Sequence, residues 1–210
     1  MKNIFLKMSL ILLPFNYLSA QNVSDIPDKS IRFHIGSARL GTGDIKGIVQ
    51  SIEFEKYFRR KLSWSAEIGS SVHSSSFPEF VTIADGQKID MSYRYTIAGL
   101  QLSGKAGYSF IRTNKSNFGL KVGALLRYQS SSLADEVATY YPGGTGLPFP
   151  ALTLTNSEPQ NTYALGGSFQ LFYNYAIRQN ILLGLNTGFQ ADTNGDTMFP
   201  QLCLTIGYRF

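Results

Sequence analysis

The sequence predicts an all-β protein, an eight-stranded antiparallel up-and-down β-barrel that crosses a membrane. Three observations lead to this fold. Segments of roughly ten residues alternate between apolar and polar side chains, and a tilted strand of that length crosses a bilayer. The connections between the segments are unequal, and two of them are much longer than the others. The outward-facing aromatic residues fall at two levels, with aliphatic residues between them.

The clearest strand is the last one, residues 199–210. Every second residue in it is apolar or aromatic: Leu202, Leu204, Ile206, Tyr208 and Phe210. The residues between them are small or polar, and this period of two is typical of a strand with one apolar face. In lipid, such a strand needs its apolar face outward and its edge paired with the first strand, so the segment favours a closed barrel.

Residues 1–20 predict a cleaved signal peptide. Lys2 and Lys7 are its only charges, an apolar run follows at 10–13, and small residues precede Gln21. The apolar run is too short for a membrane-spanning helix. We therefore expect a signal peptide at 1–20 and one barrel domain at 21–210.

The composition excludes several classes of protein. A single cysteine allows no internal disulfide. The formal net charge of +5 falls to +3 without Lys2 and Lys7, and no basic cluster with interleaved aromatic residues occurs, so we expect no nucleic-acid partner. The mean hydropathy is near neutral. That value is typical of a membrane barrel, because half of each strand faces inward.

The first three predicted strands are 30–40, 47–58 and 62–72. Their alternating apolar positions are Ile31, Phe33 and Ile35 in the first, Ile48, Ile52, Phe54 and Phe58 in the second, and Leu62, Trp64, Ala66, Ile68 and Val72 in the third. A tight cationic connection, 59–61, joins the second strand to the third. Period-two patterns joined by so short a turn indicate antiparallel neighbours.

The remaining predicted strands are 91–110, 117–129, 162–176, 181–190 and 199–210. In the fourth strand the apolar phase changes between Ile97 and Leu100, which predicts a β-bulge near Gly99. The fifth strand alternates from Phe118 to Tyr128 without a break. Before the last strand, the Asn-Gly pair at 194–195 is a hairpin signal.

The connections differ in length according to the side of the barrel. Those after strands two, four and six are short, whereas those after strands three and five are long, at 73–90 and 130–160. Short turns on one side and long loops on the other are typical of membrane barrels. The connection after strand one, at 42–46, is short and departs from this pattern.

The aromatic residues of the outward phase predict two membrane interfaces. Projected onto the path of the strands, one group lies at the end with the short turns: Phe58, Trp64, Tyr108, Phe110, Phe118, Tyr173, Tyr175, Tyr208 and Phe210. A second group lies at the other end: Tyr93, Tyr95, Tyr128, Tyr163, Phe189 and Phe199. The aliphatic residues between them fit the hydrocarbon layer, so we expect lipid as the partner of the outer surface.

Charged residues of the inward phase predict a polar interior. They are Arg32, His34, Glu53, Glu55, Glu67, Arg94, Lys105, Lys121, Arg127 and Arg209. A charge buried in a narrow barrel needs a partner. We expect Glu67 to pair with Lys105, and Glu53 to pair with Arg32 or His34. The favoured interpretation is a structural core that holds the barrel shut, and the alternative is a gated ion path or a proton-sensitive switch.

Two other motifs carry weaker signals. His73 beside Ser74 invites a hydrolase interpretation, but no Gly-x-Ser-x-Gly occurs, and adjacent strand residues point to opposite faces. Asp192 and Asp196 resemble the start of a calcium loop, but Cys203 stands where such a loop needs Glu, so a hairpin turn explains them better. We therefore predict no catalytic residues, no metal site and no cofactor, and we expect Cys203 to be a small buried thiol.

The loop at 130–160 holds the best candidates for an external contact. Its segment 140–150 presents Tyr140, Tyr141 and Phe149 and is stiffened by prolines. The alternative is that this segment folds over the mouth of the barrel and packs on itself. The sequence does not reveal the external ligand.

Nearly all of the predicted mature chain resembles the small eight-stranded outer-membrane barrels of the OmpA and OmpX type. The resemblance rests on the signal segment, the strand pattern and the terminal Tyr208-x-Phe210. It implies residence in the outer membrane of a Gram-negative cell, recognition of the last strand by the barrel insertion machinery, and a role in envelope integrity, adhesion or surface binding. Because 210 residues end with the predicted barrel, no peptidoglycan-binding domain is expected.

Three functions are consistent with these features. The favoured one is a non-enzymatic outer-membrane barrel with a packed polar interior, whose working surface is the loops 73–90 and 130–160. The second is a narrow gated channel for ions or small solutes. The third is a lipid-modifying barrel enzyme, which the absence of a recognisable nucleophile motif makes less favoured.

Overall fold

The computed structural model describes residues 26–41, 45–83 and 86–210, so the predicted signal peptide at 1–20 lies outside the described residues. The elements, in chain order, are β1 (Lys29–Leu40), β2 (Ile45–Tyr57), β3 (Leu62–Phe77), β4 (Phe80–Thr82), β5 (Lys88–Asp90), β6 (Tyr93–Arg112), β7 (Ser116–Ser131), β8 (Glu136–Tyr140), α1 (Pro142–Thr145), β9 (Ala151–Thr155), β10 (Asn161–Ala176), β11 (Ile181–Asp192) and β12 (Thr197–Arg209). Across these described ranges, no helix has both the length and the apolar character to cross a membrane.

Eight long strands close into an antiparallel barrel, which confirms the predicted fold class. Their order around the barrel is β1, β2, β3, β6, β7, β10, β11 and β12, and β12 returns to pair with β1. At this seam His34 lies opposite Thr205 and Gly36 lies opposite Cys203. Closure removes the unpaired strand edges that lipid could not satisfy.

The two faces of the barrel have opposite chemistry. In β12, the side chains of Leu204 and Ile206 are 64% and 53% exposed, while those of Cys203 and Thr205, in the alternate positions, are buried. The same alternation runs through the other long strands, so the outer surface is a continuous apolar belt. An apolar belt around a closed barrel is the surface that lipid covers.

The predicted bulge near Gly99 is wrong. Burial alternates along β6 without interruption there, and its pairing with β7 shifts instead between Ser109 and Ile111. Ile97 points inward, where it joins Leu40 and Met198 in a buried apolar cluster. When an apolar residue lies on the inner face, the apolar–polar alternation of the sequence changes phase although the strand has no bulge.

The same error in phase misplaced three residues before Gly99, because Tyr93 shares the inward phase of Tyr95 in β6. Tyr95 packs against the inner apolar cluster instead of facing outward. Arg94, expected in the interior, is exposed. With no bulge at Gly99, the residues before Ile97 keep the inward and outward phases that the rest of β6 sets.

The two long connections begin later and hold more structure than expected. β3 continues to Phe77, so the loop predicted at 73–90 starts as strand, and its remainder contains the β4–β5 hairpin. β7 continues to Ser131, and the rest of the predicted loop 130–160 forms the β8–β9 hairpin with α1 near its tip. We call the segments 78–92 and 132–160 the first and second external hairpins. Residues 42–44 of the short connection after β1 lie outside the described ranges.

Closure at the β1–β12 seam depends on the absence of a side chain at Gly36. A Cβ atom there would overlap the carbonyl oxygen of Leu202 and the Cα atom of Cys203. A Cβ atom added at Gly104, on the lipid-facing side of β6, would have no other atom within 4 Å. The seam therefore tolerates only glycine without movement of the backbone.

We expect Gly36→Ala to destabilise the folded barrel by about 1–3 kcal/mol, the usual cost of overpacking. The measurement is the temperature at which the folded band is lost on an unboiled SDS gel. Gly104→Ala is the matched control and should leave this temperature unchanged. Equal effects of the two substitutions would contradict the packing argument.

Candidate functional site

The interior of the barrel carries a network of charged side chains from five strands. The period of two points them inward from positions that pair across neighbouring strands. All are buried: Arg32 and His34 on β1, Glu53 and Glu55 on β2, Glu67 on β3, Lys105 on β6, and Lys121 on β7. We call these seven residues the interior network.

Glu53 lies at the centre of the interior network and is fully buried. Its Oε1 accepts a hydrogen bond of 2.5 Å from Lys121 Nζ. Its Oε2 lies 3.1 Å from His34 Nε2 and 3.5 Å from Arg32 Nη2. Sequence reasoning expected Arg32 or His34 as the partner of Glu53, and the structure brings both to it together with Lys121.

Glu55 extends the same cluster toward the end of the barrel that bears the short turns. It accepts hydrogen bonds from Arg32 and, at 2.8 Å, from the hydroxyl of Ser63. Lys121 Nζ lies 3.1 Å from Glu55 Oε1. One lysine and one arginine are thus shared between Glu53 and Glu55, so the four charges form one unit.

Glu67 and Lys105 form the pair that the sequence predicted, with 2.7 Å between Lys105 Nζ and Glu67 Oε2. Lys105 also donates to Gln170 Oε1 at 3.1 Å. Asn186 Nδ2 lies 2.8 Å from His34 Nδ1, so an Nε2–H directed at Glu53 satisfies both ring nitrogens. The Lys105 ammonium and both ring nitrogens of His34 therefore have partners.

The interior network is close to electroneutral. Its three carboxylates, Glu53, Glu55 and Glu67, face three basic side chains, Arg32, Lys105 and Lys121. Mutual pairing offsets the large cost of taking charges out of water, and the loss of one member would leave its partner uncompensated. The arrangement is that of a closed core.

Little free space remains inside this core. A cavity of about 10 Å³ lies beside His34, Glu67, Lys105, Gln170 and Cys203. That volume corresponds to roughly one water molecule. Side chains fill the interior, as the width of an eight-stranded barrel allows.

A second set of contacts lies toward the long hairpins. Arg127 donates to Asp192 Oδ2 at 2.6 Å and to Gln190 Oε1 at 2.7 Å. Asp192 also accepts the backbone N–H of Asn194 at 3.1 Å within the turn. Asp192 is thus the partner of Arg127 and a turn residue, and sequence reasoning missed this pair because it interpreted Asp192 only as part of the turn.

The interior holds one group that could offer ligands to a metal ion. His34, Glu53 and Glu67 bring nitrogen and carboxylate oxygen atoms within 4.8 Å of one another. The carboxylates already accept hydrogen bonds from Lys121 and Lys105. A metal cation would have to displace these ammonium groups, so the geometry favours the ion-paired network over a metal centre.

His73 does not lie in a polar loop, as the sequence had suggested. It belongs to β3, its side chain is fully buried, and among the described residues neither ring nitrogen has a hydrogen-bond partner. Ser74 is exposed. Successive residues of a strand point to opposite faces, so His73 and Ser74 form no catalytic pair.

The aromatic residues form clusters at both ends of the apolar belt. At the end with the short turns, the ring centroids are 5.5 Å apart for Tyr108 and Phe110 and also for Phe110 and Phe118. Further aromatic residues exposed at this end are Phe58, Trp64, Tyr173, Tyr175, Tyr208 and Phe210. At the opposite end, Tyr128 and Tyr163 lie 5.0 Å apart. These positions suit amphipathic rings at two membrane interfaces.

The second external hairpin has its aromatic residues exposed. Tyr140, Tyr141 and Phe149 are 50%, 56% and 59% accessible. Asp135 fastens the base of this hairpin by accepting the backbone N–H groups of Ser157 and Glu158 at 2.9 and 2.8 Å. The hydrogen bond from Glu158 is the main reason that the pKa of Asp135 lies below its usual value.

No protein-family model matches the sequence. A search of curated proteins returns no significant match either. Solved structures do match. Ail, the attachment invasion locus protein of Yersinia pestis, solved with the heparin analogue sucrose octasulfate, superimposes with a TM-score of 0.50 at 13% identity and covers 88% of this chain and 99% of its own. Neisserial surface protein A superimposes with a TM-score of 0.51 at 11% identity and covers 87% and 97%.

At these identities the likeness concerns the fold. A closed eight-stranded barrel, an exposed apolar belt and two levels of aromatic residues accompany it. Together these features give the chain the fold of the small eight-stranded outer-membrane β-barrels.

Proposed function

We propose that this protein is a non-enzymatic outer-membrane barrel with a closed structural interior and an external surface that binds other molecules. The observation that carries the proposal is the mutual pairing of the three carboxylates and three cations of the interior network. A channel needs mobile or solvated charges along its path, whereas these are held by one another. The barrel thus serves as a rigid base for what lies outside the membrane.

The binding surface is the pair of external hairpins, and the second one contributes most. Its tip exposes Tyr140, Tyr141 and Phe149, and proline and the short helix α1 order the chain around them. Exposed aromatic residues on an ordered loop are typical of recognition sites, because they bury a large area at a small cost in entropy.

The charge of the external hairpins indicates which ligands suit them. Segments 78–92 and 132–160 together contain six acidic residues and one basic residue. Ail was solved with a sulfated heparin analogue. An acidic surface disfavours such a polyanion, so we infer an uncharged or cationic ligand held mainly by the aromatic residues.

We expect the purified barrel to produce no channel openings in planar lipid bilayers. The interior cavity beside His34 measures only about 10 Å³, and the paired side chains of the interior network surround it. The measurement is single-channel recording across a range of voltages, with protein-free detergent as the control. Reproducible conductance steps would favour the alternative function, a narrow gated channel.

We expect Glu53→Gln to lower the temperature at which the folded band is lost on an unboiled gel. The substitution leaves Lys121 and Arg32 without their central carboxylate, and breaking a buried pair costs about 3–5 kcal/mol. Glu136→Gln, on the exposed second hairpin, removes the same charge and serves as the control. If the Glu53 variant loses its folded band at the same temperature as the parent, the interior network has no structural role.

We expect the combined change Tyr140→Ala, Tyr141→Ala and Phe149→Ala to reduce attachment of displaying cells to a hydrophobic polystyrene surface by several fold. The matched control is Thr153→Ala with Thr155→Ala, two exposed positions on the same hairpin. Both variants should keep the folded band of the parent. If attachment is equal in all three proteins, the aromatic tip is not the binding surface.

A further inference from the structure

The short-turn end of the barrel, which faces the periplasm in an outer-membrane protein, is strongly basic. Nine basic residues lie in its turns and strand ends: Lys29, Lys56, Arg59, Arg60, Lys61, Arg112, Lys115, Arg178 and Arg209. Asp28 is the acidic side chain described there. We call these nine residues the basic rim.

The basic rim keeps a net positive charge, although the carboxylates of Glu55 and Asp28 lie close enough to attract Arg112. Within the described ranges, no carboxylate forms an ion pair with any of its members, because the acidic side chains of the interior pair with Arg32, Lys105, Lys121 and Arg127. The external hairpins are acidic, so the two ends of the barrel have opposite charge. A field of this kind attracts anions to one end.

Two arginines of the basic rim hold the local structure. Arg112 stacks on the ring of Tyr57 at 3.7 Å and donates to the carbonyl oxygen of Pro27 at 2.9 Å. Arg209 donates to the carbonyl oxygens of Gln179 and Asn114 at 2.5 and 2.6 Å. These contacts hold both guanidinium groups in place, so their positive charges have fixed positions in the basic rim.

Five other members of the rim are exposed: Arg59, Arg60, Lys61, Lys115 and Arg178. They lie on the three turns that join β2 to β3, β6 to β7, and β10 to β11. An open recess of about 590 Å³ lies between two of these turns, lined by Lys115, Arg178, Arg209 and the amides of Asn114, Gln179 and Asn180. Cations with amide donors around an open recess suit a phosphate group.

The exposed cations stand at the height of the membrane interface. The Lys61 ammonium lies 6.0 Å from the ring centre of Tyr108, and Arg59 follows Phe58 directly in sequence. Tyr108 and Phe58 belong to the aromatic cluster that marks this interface. Basic side chains at this height meet phosphate groups of the adjoining lipid leaflet.

We propose that the basic rim binds the phosphate groups of anionic phospholipids in the periplasmic leaflet. The ligand class is a lipid with a net negative headgroup, such as phosphatidylglycerol. The lipid is favoured over an acidic protein because the cations encircle the barrel beside the aromatic residues instead of forming one compact patch. The site anchors the depth of the barrel and is separate from the external binding surface.

The experiment uses the full mature barrel in vesicles of equal parts phosphatidylglycerol and phosphatidylcholine with matched acyl chains. The lipids that remain bound after gentle extraction are counted by native mass spectrometry. We expect the parent protein to retain phosphatidylglycerol with a preference of roughly tenfold, which corresponds to about 1.4 kcal/mol.

The test variant combines Arg59→Gln, Arg60→Gln, Lys61→Gln and Arg178→Gln. The control combines Arg39→Gln, Lys46→Gln, Lys88→Gln and Arg94→Gln, four exposed basic positions toward the external end. Both remove the same charge, and the unboiled gel band shows that both are folded. We expect the preference to vanish in the first variant and to persist in the second.

Three results would overturn the proposal. One is an equal loss of preference in both variants, which would indicate a net-charge effect. Another is full competition by inorganic phosphate at millimolar concentration, which would indicate a site for free anions. The third is an absent lipid preference together with rim-dependent crosslinking to an acidic periplasmic protein, which would assign the surface to a protein partner.

Discussion

The cost of burying charge in a narrow barrel is the constraint on which the rest of this structure depends. Eight strands enclose a space that side chains must fill, and here many of those side chains are ionised. Glu53 is stable there only because Lys121, Arg32 and His34 reach it from other strands. A slip of one residue in any of these strands would turn its charges toward lipid, so the network also fixes the register.

Much of this arrangement follows from the sequence. The period of two predicted the eight strands and their inner faces. The antiparallel order predicted the pair of Glu67 and Lys105, which the structure contains. The errors have a common physical cause, because a sequence shows which residues are apolar but not which face they occupy. Ile97 faces a buried apolar cluster instead of lipid, and its neighbours Arg94 and Tyr95 were misplaced with it.

Contacts outside the regular ladder could not be predicted. The partner of Arg127 is Asp192, which the sequence offers only as a turn residue, and their approach depends on the curvature of the closed barrel. Segments 78–92 and 132–160 were predicted as loops because they are polar, but each contains a β-hairpin. The likeness to Ail and Neisserial surface protein A, at 13% and 11% identity, concerns the fold alone.

The buried position of Cys203 has a practical consequence. It is the single cysteine of the chain, its side chain is 2% exposed, and it belongs to the inner apolar cluster. Maleimide and nitroxide reagents would not reach this thiol in the folded protein. The natural sequence therefore already suits spectroscopy by site-directed labelling, with probes introduced in pairs on the external hairpins and the periplasmic turns.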